Sequence, residues 1–122
     1  MPNESQVSPE LTELERIVLE TAIRHHSRVA ELEAQLNAAK VVVRTPSGVG
    51  FVTKLQVPEK LSLVGHTEES ELPVVLAEHP ALNSGAEFIL QVKAGRINCI
   101  EAYCYEGMWP ADETLFRELT KS

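Results

Sequence analysis

The chain has 122 residues, enough for one domain that buries roughly two-thirds of the surface its unfolded chain exposes. Eleven basic residues stand against eighteen acidic ones, a formal charge of −7. That balance argues against nucleic acid or anionic membrane as a ligand, since both demand clustered Lys and Arg, and it suits a basic protein partner, whose encounter complementary charge would speed. No apolar run nears the ~18 residues that span a bilayer, and MPNESQVSPE has neither the basic nor the apolar part of an export signal. The expected location is therefore cytoplasmic.

In chain order, residues 1–8 are polar and expected to be disordered, and 9–39 to be helical. Ser8 and Pro9 suit an N-cap followed by proline in the first turn. Leu11, Leu14, Ile17, Val18 and Ala22 form one amphipathic stripe, and Val29, Leu32, Leu36 and Ala39 a second. Between them Arg24-His25-His26-Ser27 favours a break, with Ser27 as the second cap, although one long helix fits the stripes as well. Such stripes suit packing on a sheet or on a second copy of the chain, which makes a homodimer through the N-terminal helices a further expectation.

From Lys40 the composition turns β-branched, and 40–107 reads as sheet. Val41 to Arg44 and Val49 to Val57 form a hairpin around Pro46, Ser47 and Gly48. Gly48-Val49-Gly50 lacks the helix start and lysine of a phosphate cradle, so it reads as a hairpin shoulder. Leu61 to Val64 suggests a short strand, HTEESEL a loop, Leu72 to Ala77 an edge strand, and His79 to Gly85 a connection. In the tail, 108–122, Asp112 is expected to cap a short helix holding Leu115, Phe116 and Leu119. The sum is a single α+β domain, one or two N-terminal helices packed on an antiparallel sheet of about five strands.

The clearest signal is the hairpin of Ala86 to Tyr105 around Lys93-Ala94-Gly95-Arg96. Alanine resists the positive φ of a two-residue type I′ turn, so a type I turn with Gly95 as bulge residue is expected. That register pairs Phe88 with Ile100 and Ala86 with Ala102 on an apolar face, and sets Glu87 opposite Glu101 on the other. A desolvated carboxylate pair would raise one pKa and could work as an acid or base; splayed into water it is inert. Cys99 and Cys104 point to opposite faces of one strand, which disfavours a mutual disulfide. His25, His26, His66 and His79 lack metal-ligand spacing. No nucleophile signature, metal site or cofactor motif stands out, and no cofactor is expected.

The surface is more informative. Glu68, Glu69 and Glu71 crowd one loop, and Tyr103, Tyr105 and Trp109 lie close to Glu101 and the strand partner Glu87. Aromatics with a polar handle favour interfaces. These eight residues are the candidate partner-binding set.

GVGFVT (Gly48 to Thr53), GAEFILQVKAGRI (Gly85 to Ile97) and IEAYCYEGMWP (Ile100 to Pro110) together resemble a group of small, mostly uncharacterised bacterial proteins. That group has a Gly-Val-Gly-Phe hairpin, a C-terminal Asp-Gly hairpin, a Leu-Glu-x-Tyr-x-Tyr segment and a Trp-Pro ending, and several toxin-neutralising immunity proteins share the closing pattern. The chain departs from it at Ala94, where Asp is usual, and at Glu87, where a small residue is commoner. The resemblance implies a non-enzymatic bacterial binding protein, an immunity protein that meets a basic toxin through an acidic, tyrosine-bearing surface. The alternative is a small enzyme or ligand-binding domain with a pocket near Glu87, Glu101 and Tyr103.

Overall fold

The computed structural model describes residues 10–65 and 70–121, with the backbone alone at Ser70 and Glu71. The expected disorder of 1–8, the Ser8 cap, and Glu68 and Glu69 lie outside the described residues.

Two helices precede the sheet. Helix α1 spans Glu13–Ile23, and it starts later than the Ser8-Pro9 reading because Thr12 caps it. Thr12 Oγ1 accepts from the Glu15 backbone N–H while Glu15 Oε1 accepts from the Thr12 N–H, at 3.1 and 2.8 Å. This reciprocal box satisfies two of the orphan donors of a helix start. The chain reverses at His25, which takes a φ of 70°, and helix α2 follows at Val29–Ala38. Ser27 does not cap α2. Arg28 holds that position without a side-chain cap bond, and the Arg28 N–H donates to His26 Nδ1 at 2.9 Å.

The strands are β1 Lys40–Pro46, β2 Gly50–Gln56, β3 Ser70–Glu71, β4 Val75–His79, β5 Leu82–Lys93, β6 Arg96–Cys104 and β7 Arg117–Lys121. They form one antiparallel sheet in the order β1-β2-β6-β5-β4-β7, with β3 pairing β5 alongside β4. The sequence reading missed two strands and moved others. Glu59–Leu61 is a 3₁₀ turn where a short strand was expected. His79 and Leu82 pair with each other, so β4 and β5 form a hairpin where a connection was expected. In the tail, Asp112 does cap, its carboxylate accepting from the Thr114 N–H at 3.0 Å. The helix stops after the 3₁₀ turn Glu113–Leu115, and β7 then joins the edge of β4.

Both helices lie against one face of the sheet, α1 over β4 and β7 and α2 over β6. Leu14, Val18, Leu19 and Ala22 of α1 and Leu32 and Leu36 of α2 are buried with Phe88, Leu90 and Ile100. Most of each apolar stripe is thus spent within the chain, with Ile17 left 39% exposed, and the packing lends no support to the helix-mediated homodimer. Trp109 closes the end of this core, its ring 5.5 Å from Phe51, 5.9 Å from Phe88 and 5.1 Å from Phe116.

Two buried polar groups tie helices to strands. Glu15 on α1 is 1% exposed and receives Arg44 of β1 through both carboxylate oxygens, at 2.9 and 2.6 Å, with the Thr53 hydroxyl of β2 at 2.6 Å. Gln35 on α2 is fully buried. Its amide donates to the Leu61 and Gly95 carbonyls, each at 2.8 Å, and its carbonyl accepts from the Ile97 N–H at 2.9 Å. Neither group was singled out from sequence, though both left a trace there: Thr12-x-x-Glu15 spells a capping box, and Gln35 falls on the stripe of Leu32 and Leu36.

Candidate recognition face of the sheet

The face turned away from the helices is set by the register of β5 against β6. Ala94 and Gly95 form the turn alone, with φ of 53° and 76°, and Lys93 pairs with Arg96. This is the two-residue turn with positive φ at both centres, the geometry that alanine was expected to refuse. Gln35 and the Leu63 N–H both bond the Gly95 carbonyl, so tertiary contacts hold the turn against the cost of left-handed alanine, ~1–2 kcal/mol. A bulge follows: Val92 pairs with Ile97 but Gln91 with Cys99, which leaves Asn98 unmatched.

Turn and bulge together place the residues differently from the expected register. Phe88 pairs with Ala102 and Ala86 with Cys104, so the same side chains line the core, shifted along the strands. On the open face Glu87 pairs with Tyr103, and Ile89 with Glu101. Glu87 and Glu101 are therefore diagonal neighbours and not the facing pair that could have perturbed each other.

From strand to strand, Gly50 of β2, Tyr103 of β6, Glu87 of β5, Leu76 of β4 and Thr120 of β7 make one row across this face. Val52, Glu101 and Ile89 make the next. Glu101 is exposed and Glu87 half-buried. Tyr103 donates its phenol proton to Glu87 Oε1 at 2.9 Å, and Tyr105 donates to the same oxygen. The two rings meet edge to face at 5.5 Å. The hydrogen bond to Glu87, with burial and the charges of Glu87 and Glu101, holds the Tyr103 phenol above its usual pKa. Cys99 lies between Lys54 and Gln91 on the same face. Burial pushes its thiol up, against the pull of Lys54. Both cysteines are free.

Of the eight candidate residues, Glu87, Glu101, Tyr103 and Tyr105 converge here. Trp109 does not: it packs on the helix side and donates its indole N–H to Glu113 at 2.8 Å. Glu71 pairs with Gln91 through its backbone, and its side chain lies outside what is described. None of the clefts at the β4–β5 turn, the α1 start, the β5–β6 tip or the helix pair is lined by Glu87, Glu101 or Tyr103. Among the described residues no group of three or more His, Cys, Asp or Glu is placed to hold a metal ion, and no helix is long and apolar enough to cross a membrane.

The motif glycines have structural causes. Gly48 turns with a φ of 83° and offers its carbonyl to the Trp109 N–H at 2.8 Å. Gly50 runs so close to β6 that a Cβ would sit 1.8 Å from the Ala102 carbonyl oxygen. No family model, curated protein or solved structure matches the chain.

Proposed function

We propose that the protein is a non-enzymatic bacterial binding protein of the cytoplasm, and that the open face of its sheet, centred on Glu87, Glu101, Tyr103 and Tyr105, takes a basic protein partner, as an immunity protein takes a toxin. One observation carries this reading: two tyrosine hydroxyls converge on the Glu87 carboxylate on a sheet face that no described helix covers. The phenols fix the carboxylate in place before binding, which lowers the ordering cost of association. The surrounding Val52 and Ile89 are half-buried and Leu76 is exposed, giving the mixture of apolar area, tyrosine and charge found at interfaces. Basic side chains answer the excess of acid.

The enzymatic alternative is less well supported, because Glu101 is exposed on an open face and its diagonal neighbour Glu87 is already occupied by two phenols. The test is co-purification with the product of the adjacent gene, followed by charge reversal. A 1:1 complex that is lost in Glu87→Lys/Glu101→Lys, with thermal stability retained, is the expected result. Binding unchanged by that double reversal would refute the surface.

A further inference from the structure

One corner of the open face is recessed. Beyond the Ala86–Cys104 pair lies a depression of about 730 Å³ bounded by Tyr105, Leu76 and Thr120 of the open face and by Ser84, Gly85 and Arg117. Gly85 leaves the β5 side bare, and it is irreplaceable there, since its φ is 69° and a Cβ would lie 2.5 Å from the Ala77 carbonyl oxygen. The register of β4 shifts against both neighbours at this point, between Ala77 and His79 toward β5 and between Leu76 and Glu78 toward β7. Such paired irregularities re-aim side chains at a sheet margin.

We infer that this depression is the socket into which the basic partner inserts one arginine side chain. The inference rests on the reading of the open face as a recognition surface, and the socket is continuous with that face through Leu76, Tyr105 and Thr120. Its charge favours a cation: the exposed Glu78 and Glu118 line it against Arg117, which is the register partner of Glu78. His79 also lines it but has both ring nitrogens bonded within the fold, to the Asp112 carbonyl and the Ala81 N–H, at 2.8 and 3.0 Å. Tyr105 is 57% exposed and presents a ring for a guanidinium to stack on, which a compact ammonium uses less well. Leu76 gives the aliphatic stem an apolar contact.

The probe is the capped tripeptide Gly-Arg-Gly, compared with its citrulline twin, which has the same shape without the charge. Binding is followed through the Tyr105 ring and Leu76 methyl resonances of the full chain. The arginine peptide is expected to shift both saturably and the citrulline peptide to leave them in place. Thr120→Lys, which sets a competing cation in the socket, and Asn83→Trp, at a position that also lines it, should each weaken binding by about tenfold or more, while Glu33→Gln, on the exposed side of helix α2 away from the open face, changes it by less than about twofold. If Asn83→Trp fails to fold, Thr120→Lys decides. Equal shifts with citrulline, shifts centred on Ile89 and Val52, or binding that survives Thr120→Lys would each overturn the socket. Because the peptide needs no partner protein, a socket that ignores it overturns this inference while the charge-reversal experiment still judges the open face.

Discussion

Glu15 and Gln35 show how much of this fold depends on single buried polar side chains. For Glu15, burial opposes ionisation most strongly, yet the hydrogen bonds from Arg44, Thr53 and the Thr12 backbone together hold its carboxyl below the ordinary value of 4.5. A depressed pKa means that the unfolded chain takes up the proton first. The contribution of Glu15 is therefore complete above about that ordinary pH and is lost as pH falls through the lower folded-state value. Glu15→Gln should cost about 2–3 kcal/mol at neutral pH, less than a fully buried pair because the Arg44 side chain is 23% exposed. Chemical denaturation from pH 7 down to 3 should also show a shallower loss of stability in this variant than in the parent. Gln35→Leu roughly keeps the volume but strands the buried Ile97 N–H and takes the donor from the part-buried Leu61 carbonyl, for an expected loss of about 2–4 kcal/mol by urea titration.

Among the elements, the β5–β6 hairpin tests how far local chemistry decides geometry. Ala94→Gly relieves a left-handed alanine and should stabilise the chain by about 1 kcal/mol, seen as a rise in melting temperature, with no change in the pairing of Lys93 and Arg96. A loss of stability would show that the turn is not strained. The hairpin itself, the helix pair, the helix-on-sheet layering and the division of Phe88, Leu90 and Ile100 from Glu87, Glu101 and Tyr103 were all legible, because periodicity records which face is buried. The register was not. Ala94 adopts its conformation under the grip of Gln35, sixty positions upstream of Gly95 by the hydrogen bond they share, and no local rule contains that contact. The bulge at Asn98 has no glycine at the bulged position to announce it. Strand β7 was hidden for a similar reason: Phe116 and Leu119 looked helical in spacing, and the exposed edge of β4 supplied hydrogen bonds that a short isolated helix lacks. In the candidate site, Tyr103, Tyr105 and Glu87 were found by residue type, whereas the socket arises from Gly85 and paired strand shifts that only the assembled sheet displays.

At the scale of the whole molecule, the asymmetry between the two sheet faces sets how the chain meets others. The helices bury most of their apolar stripes in the core, and like charge on the acidic open face opposes stacking one copy on another. Light scattering at low ionic strength should accordingly give the single-chain mass of 13.5 kDa; a doubled mass would mean that a described face, or an edge strand, serves self-association. The acid that discourages self-pairing is also what would steer a basic partner, so the association rate of the proposed complex is expected to fall as salt rises.

The clamp made by Gln35 also bears on how the chain comes to be folded. Helix α2 is synthesised before Leu61, Gly95 and Ile97, so until those segments arrive the Gln35 amide lacks its native partners. The two helices can form early but have no sheet to lie on until β5 and β6 close, and β7 follows later still. Docking of the helices is thus expected as a late, nearly all-or-none event, in which the hairpin tip, the helix layer and the open face acquire their final register together.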